Sequence, residues 1–247
     1  MTNAEFSNAF DTLLNSYKYK SEFGERTSII DIALDEFEKS QFLTLAQEMV
    51  ITNLYSGVNL NGFEATEQNR RYLDSLVTYT NISLINKGYE ADAKYLPQEG
   101  LKYYQVDLSS LTSELMFITY EATSFSDATL GCGENKTVQV IPIRQDELTK
   151  VVKNPFRGPN TSRVLRVDVG PRKIELISKY TLGTYYLGYI SKPTPIILVD
   201  LTEEDLTING ESQAMECKLD SSLHSAILQM AVELAINSKA PSSAKNK

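Results

Sequence analysis

The residues that could carry chemistry in this chain are few, and their spacing assembles no recognised reaction centre. The one histidine, His224, has no local serine and aspartate arrangement that would indicate nucleophilic catalysis. Cys132 and Cys217 form no Cys-x-x-Cys pair and have no second histidine to complete a zinc site. The sequence therefore predicts no catalytic residue, no cofactor and no metal. It favours free thiols in a reducing compartment, with a disulfide as the alternative.

Two short motifs approximate ligand-binding loops but lack their defining features. Gly131-Cys-Gly133 does not have the G-x-G-x-x-G spacing of a dinucleotide-binding turn. The acidic run Glu203-Glu-Asp205 lacks the alternating ligands and the glycine of a calcium-binding loop. We therefore assign a ligand to neither motif and interpret the acidic run as an exposed loop.

Tyrosine is the one abundant aromatic residue: the chain has 14 tyrosines and no tryptophan. Tyrosine rings can stack on sugars or bases, and they also pack in cores and protein interfaces. The sequence leaves both interpretations open for one cluster of four, which consists of Tyr180, Tyr185, Tyr186 and Tyr189.

The composition is that of a globular protein, with 42% hydrophobic and 23% charged residues over 247 positions. A chain of this length forms one large domain or two small ones. Its net charge of −8 argues against a duplex-DNA binder. No apolar run reaches the ~18 residues of a transmembrane helix, so no membrane partner is predicted. The first ten residues have neither the basic nor the apolar region of a signal peptide.

The charge is unevenly distributed along the chain. Residues 1–100 carry 8 basic and 15 acidic side chains, whereas residues 101–200 carry 12 basic and 10 acidic ones. Basic residues dominate between positions 144 and 179. An acidic and a basic surface on one chain can meet head-to-tail between copies, and the alternative is a set of solvated charges without a partner.

The first third of the chain has helical patterning. Two capping boxes, Thr2-Asn-Ala-Glu5 and Asp35-Glu-Phe-Glu38, predict helix starts. Gly57 ends the second and longest helix, at about residues 36–56. Thr66 can cap a third helix, which we expect to continue to about Thr80.

The middle of the chain has strand patterning instead. Aromatic and β-branched residues occur there in short runs that Gly, Pro, Asn and Ser separate. This pattern predicts a small antiparallel sheet or sandwich that one short helix, 145–153, interrupts. The predicted strands are 116–122, 137–143, 163–169, 173–177 and 184–190.

The last part combines an extended segment with a helix. Pro193 and Pro195 fix their φ angles and donate no N–H, so the segment around them must be extended outside a sheet. Residues 196–201 are mostly apolar and predict a short strand buried on both faces. Asp220 or Ser221 can cap a final helix, which is either an ordinary core helix or one reserved for a partner chain. Its expected buried face is Leu223, Ile227, Met230 and Leu234.

The 154–159 loop, Asn-Pro-Phe-Arg-Gly-Pro, is the most position-specific candidate for a contact site. Two prolines flank Phe156 and Arg157, which lowers the entropy lost when such a loop docks on another chain. The two possibilities are an outward-facing interface loop and a turn that tucks Phe156 into its own β region.

Three blocks of this sequence resemble head-to-tail connector proteins of short-tailed, crAss-like bacteriophages. The first is YISKPTPIILVDL with the later helix LHSAILQMAVELA, and the second is EFEKSQFLTLAQEMVITNLYSG followed by RRYLDSLV. The third is the NPFRGP loop before an arginine-led strand. Together the blocks cover most of the chain.

The resemblance implies an α+β fold in which N- and C-terminal helices form a bundle with an inserted antiparallel β-rich region. We expect a helical body at 1–92, a β-rich insertion at 93–211, a C-terminal helix at 212–240 that packs on the body, and a disordered end at 241–247. The interface residues predicted within the insertion are Phe156, Arg157, Arg163 and Arg166.

The function that the resemblance implies is structural. Copies of the chain, made in the host cytoplasm, are expected to form a closed and twelvefold ring in the neck or tail of the virion. Its partners would be other copies, the portal protein and adjacent ring proteins, with genomic DNA passing through without sequence-specific binding. The alternative is a tail accessory module that recognises carbohydrate or a host surface, and an enzyme is disfavoured.

Overall fold

The computed structural model describes residues 1–17, 34–56, 67–89, 98–133 and 135–239. Within them lie five α-helices: α1 (Asn3–Tyr17), α2 (Glu36–Tyr55), α3 (Glu67–Asp74), α4 (Leu148–Lys153) and α5 (His224–Lys239). The strands are β1 (Val77–Ser83), β2 (Ile85–Gly88), β3 (Lys102–Asp107), β4 (Leu115–Phe125), β5 (Thr137–Pro142), β6 (Arg163–Gly170), β7 (Lys173–Ser178) and β8 (Leu182–Ser191). The predictions at Gly57, Thr66 and 241–247 lie outside the described residues.

The chain divides into two compact units. The helical unit consists of residues 1–76 and 192–247, and the sheet unit consists of residues 77–191. The sheet unit is thus inserted into a helical unit that both ends of the chain build, which confirms the predicted α+β class.

Local capping explains where the helices begin. The amide of Thr2 donates to Glu5 Oε2 at 2.8 Å and the amide of Glu5 donates to Thr2 Oγ1 at 3.3 Å, so the predicted capping box forms. Asp35 accepts from the amide of Glu38 at 2.7 Å at the start of α2. The side chain of Asp220 accepts from the amide of Ser222 in the 3₁₀ turn that leads into α5.

The core of the helical unit forms where α5 packs against both α1 and α2. Phe6 and Phe10 of α1 and Ile227 of α5 are fully buried. Of the face predicted for α5, Leu223 and Ile227 are buried, whereas Met230 and Leu234 are half-buried. Such a packed apolar stripe is that of an ordinary core helix.

One buried lysine ties α1 to α2. Lys39 is only 4% exposed, and its Nζ lies 2.8 Å from Asp11 Oδ2 and 2.9 Å from Glu36 Oε1. Burial lowers the pKa of Lys39, but its hydrogen bonds to Asp11 and Glu36 outweigh this, so the pKa rises above its ordinary value. The charged form therefore holds the two helices together.

The predicted strand at 196–201 is wrong, because this segment lies along a helix and makes one isolated bridge, between Ile197 and Met215. Side chains of α2 bind its backbone in place of a neighbouring strand. Thr44 Oγ1 accepts from the amide of Ile196 at 3.1 Å, and Ser40 Oγ accepts from the amide of Leu198 at 3.0 Å. Gln47 Nε2 donates to Thr194 O at 3.3 Å.

The sheet unit is one eight-stranded sheet with the order β1-β8-β4-β5-β6-β7-β3-β2. Its two end strands, β1 and β2, are consecutive pieces of one chain segment that only Leu84 separates. One segment therefore pairs with β8 through its first part and with β3 through its second, and the sheet curls round on itself. The pairing is antiparallel except between β5 and β6, which are parallel, so the inserted antiparallel β-rich region is confirmed as a mostly antiparallel sheet.

Side chains fill the interior of the curled sheet. A single cluster of buried residues draws members from seven of the strands, including Ile82, Tyr104, Phe125, Leu176 and Tyr185. On the outer face of β3, β6 and β7, a second cluster forms where Leu148 and Val151 of α4 pack on the sheet. The sheet interior is therefore a packed core and not a channel.

The third helix is shorter than predicted, and the strands that follow it were missed. It ends at Asp74 instead of about Thr80, and β1 starts at Val77. Only Ile82 of β1 is fully buried, so the alternation in this strand is weak. The five predicted strands in the middle region and the short helix are confirmed within a few residues.

Candidate assembly surfaces

The 154–159 loop connects α4 to β6, and hydrogen bonds fix its shape. Asn154 Oδ1 accepts from the amides of Phe156 (2.8 Å) and Arg157 (3.3 Å), and Asn154 O accepts from the amide of Gly158 at 2.7 Å. A Cβ atom at Gly158 would lie 2.9 Å from Val152 O and 3.0 Å from Asn154 O. Because both are backbone atoms that cannot move aside, only glycine fits this turn.

The loop presents its aromatic side chain to solvent. Phe156 is 82% exposed, and Arg157 beside it is also exposed. Gly158 and Pro159, in contrast, are buried and anchor the end of the loop. The possibility that Phe156 tucks into its own β region is therefore excluded, and the loop is rigid with an outward-facing Phe-Arg pair.

The structure separates the two arginines of β6. Arg163, at the start of the strand, is half-exposed and has no carboxylate at ion-pair distance among the described residues. Arg166 is instead engaged inside the subunit, where its Nη1 lies 2.8 Å from Glu121 Oε2 and both side chains are at most 12% exposed. Arg163 thus shares the solvent-facing character of Phe156 and Arg157, and Arg166 does not.

The Arg166 ion pair belongs to a cluster that braces three strands. Tyr185 of β8 donates its hydroxyl to Glu121 Oε1 of β4 at 2.5 Å, and Arg166 reaches the same carboxylate from β6. Burial raises the pKa of Tyr185, and the charge of Glu121 raises it further. The cluster lies where β4 and β5 share only three residue pairs, so it reinforces one of the two junctions of the sheet with the fewest pairs.

Basic side chains accompany the loop. Lys150 and Lys153 of α4 are exposed, as is Arg157, and no carboxylate of the described residues pairs with any of the three. We call α4 and the 154–159 loop together the basic protrusion. Its charges are three or four residues apart along the chain and pair with no acid of the described residues, so it carries a local positive potential.

An acidic loop lies in the helical unit. Residues 200–216 carry six exposed acids that have no basic partner within the described part of the chain: Asp200, Glu203, Glu204, Asp205, Glu211 and Glu216. A small apolar cluster of Ile197, Leu201 and Ile208 holds the loop from beneath. Asp205, Asn209 and Gly210 all have positive φ angles, so the loop has a defined shape.

The four tyrosines that cluster between residues 180 and 189 of the sequence differ in their burial. Tyr185 and Tyr189 are buried in the sheet interior, and Tyr180 packs edge-on against Phe125 with ring centroids 5.6 Å apart. These three are core residues, and Tyr186 is half-exposed. Core packing is thus the correct interpretation for most of that cluster.

A tyrosine platform that the sequence did not indicate lies on the outer face of β1, β8 and β4. Tyr79 is 73% exposed and Tyr120 is 49% exposed, and both are register partners of Gly188 between them. A groove of about 290 Å³ is lined by both rings together with Tyr186. The feature of the sequence that could have indicated it is Gly188 of β8, because a glycine within a strand often marks a place where a neighbouring ring lies across the strand.

The remaining candidates for chemistry occupy structural positions. His224 is buried against Phe6, with ring centroids 5.1 Å apart, and its Nε2 lies 3.1 Å from Leu219 O. Cys132 is exposed and Cys217 is half-buried, and both are free thiols. Within the described ranges no group of His, Cys, Asp or Glu side chains could hold a metal ion, and no helix is long and apolar enough to cross a membrane.

The surfaces described above are those of an assembly protein, since they combine a rigid outward loop, unpaired charges of both signs and exposed aromatic rings. The family model for phage tail ring protein 3/4 matches residues 1–247, and the chain belongs to this family of crAss-like phages. It is a structural component of the virion tail and not an enzyme.

Two relatives come from the same virus, Bacteroides phage crAss001. Ring protein 3 is 45% identical over 242 residues, which cover 97% of this chain and 96% of the relative. Ring protein 4/5 is 31% identical over 241 residues, which cover 94% of this chain and 90% of the relative. The resemblance to phage connector proteins is therefore confirmed at the level of a tail ring protein.

Proposed function

We propose that copies of this chain assemble into a closed ring of twelve subunits in the neck and tail of the virion. Membership of a tail ring family supports a homo-oligomer. A closed ring needs heterologous contacts, in which one surface of a subunit meets a different surface of the next. The basic protrusion and the acidic loop are two such surfaces, and their opposite charges favour a head-to-tail arrangement.

The passage for DNA in this proposal lies between the copies. The interior of each curled sheet is filled with side chains, so a lumen has to be formed by the ring as a whole. The net charge of −8 per chain repels the phosphate backbone, which suits passage without binding. The portal protein and neighbouring ring proteins would adjoin the two faces of the ring.

Similarity to the two relatives also supports a position within the tail. Identity is 45% to Ring protein 3 and 31% to Ring protein 4/5, over nearly the same length of chain. We assign this chain the place in its own virion that corresponds to that of Ring protein 3.

The mass of the assembled protein tests the ring. Twelve copies of the 27.7 kDa chain amount to about 332 kDa, which native mass spectrometry of the purified protein distinguishes from neighbouring copy numbers. Electron microscopy of virions should show density for the same number of copies around the tail axis. A monomer at every concentration tested, or a different copy number in the virion, would contradict the proposal.

Charge reversal tests the electrostatic contribution. Arg157→Glu combined with Arg163→Glu should weaken ring formation, more strongly at ~0.01 M salt than at ~0.15 M, because the Debye length falls from ~30 to ~8 Å over this range. The matched control is Arg144→Glu, since Arg144 already pairs with Asp146 within its own subunit. Assembly that is unchanged at low salt would remove the electrostatic account.

A second candidate function is carbohydrate recognition, which the exposed rings of Tyr79 and Tyr120 favour. Sugars bind by stacking on such aromatic faces. A glycan array probed with the purified chain and with a Tyr79→Ala, Tyr120→Ala variant tests this function. Specific binding by the unaltered chain and not by the variant supports carbohydrate recognition. Absence of binding by both proteins refutes it.

A further inference from the structure

We propose that the tyrosine-lined groove of one copy receives the 154–159 loop of the next copy. This inference rests on the proposed ring and adds a second contact between copies to the attraction of the basic protrusion for the acidic loop. The loop supplies Phe156 and Arg157, and the groove supplies the rings of Tyr79, Tyr120 and Tyr186. Neither surface has a partner within the described part of its own subunit.

The groove has the size and the chemistry to accept an aromatic side chain. Its volume of about 290 Å³ corresponds to roughly ten water molecules at ~30 Å³ each, which is room for a benzyl group. A Cβ atom at Gly188 would lie 2.8 Å from Tyr79 Cε1 and 3.0 Å from Tyr120 Cβ. Glycine at position 188 therefore lets the Tyr79 ring lie across β8 next to Tyr120, and both rings line the groove.

The loop is complementary to this groove. Phe156, at 82% exposure, is the most exposed large apolar side chain of the described residues, and burying it removes its ring from water. Arg157, which has no carboxylate partner among the described residues, would place a cation near electron-rich tyrosine faces. The hydrogen bonds from Asn154 already fix the loop, so little conformational entropy is lost on docking.

The positions of loop and groove require two different copies. The basic protrusion covers the outer face of β3, β6 and β7, whereas the groove lies on the outer face of β1, β8 and β4. Around the curled sheet β7 is four strands away from β8 in either direction, so the two surfaces lie on opposite outer sides of the unit. A loop on one side and its acceptor on the other side produce a head-to-tail chain of subunits, which closes into a ring.

Chemical crosslinking between two engineered cysteines tests this contact. Pro155→Cys places a thiol on the loop and Asn81→Cys places one at the rim of the groove, and neither change removes Phe156 or a tyrosine. The natural thiols are replaced by Cys132→Ser and Cys217→Ser, and a short bismaleimide is added to the full-length protein. We expect a ladder of linked subunits from the double variant.

Mixing the single variants reveals the direction of the contact. Chains with only Pro155→Cys and chains with only Asn81→Cys should give linked pairs and nothing larger, because each chain then carries a single thiol. Pairs formed by Pro155→Cys chains alone would indicate a two-fold contact and overturn the proposal. Replacing Asn81→Cys by Tyr89→Cys, an exposed position outside the groove, is the matched control and should give no ladder.

Association provides the second measurement. Tyr79→Ala with Tyr120→Ala should raise the dissociation constant between copies roughly tenfold or more, while Tyr89→Ala should leave it unchanged. Rings of native mass without a ladder would overturn the docking and leave the ring intact. A protein that stays monomeric would overturn the ring and the docking together, and glycan binding lost in the double alanine variant would assign the groove to carbohydrate instead.

Discussion

The helical unit and the sheet unit satisfy the backbone of their extended segments by different means. In the sheet unit strands pair with strands, and β8 is paired with β1 on one side and with β4 on the other. In the helical unit the 194–198 segment lies on α2, where Ser40, Thr44 and Gln47 bind its backbone. These three side chains recur at spacings of four and three residues and so lie on one helix face.

The difference between the two units is one of specificity. Backbone pairing between strands does not depend on a particular side chain of either strand. A helix that serves as a strand partner must present a hydroxyl or amide at particular positions, because a buried amide without an acceptor is costly. The helical unit should therefore be the more sensitive of the two to loss of a single polar atom.

The largest effect is expected from loss of apolar burial, which stabilises each unit in the same way. A substitution that removes it does not depend on how the backbone is paired. Ile227→Asp places an unpaired carboxylate at a position with 0% exposure in the helical core. Such a change costs more than ~4 kcal/mol, so the protein should not accumulate in soluble, folded form. The matched control is Ser225→Asp at an exposed position of the same helix. A soluble Ile227→Asp variant with native circular dichroism would show that this face is not a core.

A smaller effect sharpens the contrast between the two kinds of pairing. Thr44→Val removes the acceptor for the buried amide of Ile196 and should lower the free energy of unfolding by about 1–3 kcal/mol. Thr123→Val removes the hydroxyl of a buried β4 residue that donates to Thr184 O at 3.1 Å, but the pairing of β4 with β8 is retained. Its cost should be below ~1 kcal/mol. Equal losses in urea denaturation would show that α2 has no special dependence on side-chain acceptors.

The next effect is a pH dependence confined to the helical unit. Burial lowers the pKa of His224 below its ordinary value of 6.5, so the folded state favours the neutral ring. Both states are neutral above pH 6.5, and below it the unfolded chain binds the proton first. Stability should therefore fall as the pH drops below 6.5, by at most ~1.4 kcal/mol per pH unit. His224→Gln should reduce the loss of unfolding free energy between pH 7.5 and 5.5, and an identical loss would assign it to other groups.

Substitutions in the exposed 154–159 loop should have the smallest effect on the stability of the subunit and a large effect on its assembly. Phe156→Ala and Arg157→Ala remove side chains with no contact that the fold requires, so the melting temperature of the monomer should stay within ~1–2 °C of the native value. Incorporation of the protein into virions should nevertheless be impaired, because the interface loses its anchors. A lowered melting temperature together with normal incorporation would make the loop a stabilising element and not a contact site.

Features that depend on neighbouring residues were predictable from the sequence. The caps at Thr2, Asp35 and Asp220 and the turn of the 154–159 loop all depend on side chains within three residues of the backbone that they bind. These elements need no knowledge of the remote chain. The outward position of Phe156 was one of the two possibilities that the sequence left open, and only the structure decided between them.

Features that depend on distant partners were not predictable. Strand β1 has weak alternation, and it is a strand because β8 pairs with it more than 100 residues later. Residues 196–201 have the composition of a buried strand, but the element that covers them is a helix. Arg166 was predicted as an interface residue, but its guanidinium pairs within the subunit with Glu121, which lies 45 residues earlier. The acidic loop was noted only as a short run, and the tyrosine platform arises from three strands that meet at Gly188.

The insertion of one unit into the other imposes an order on synthesis. Thr44 and Ile196 are 152 residues apart, and a ribosome adds about 5–20 residues per second, so α2 waits about 8–30 s for the segment that it binds. The sheet unit is continuous from residue 77 to 191, so its last strand is made 33 residues, or about 2–7 s, before α5 begins. The nascent chain thus carries a fully synthesised middle between two helical parts that close last.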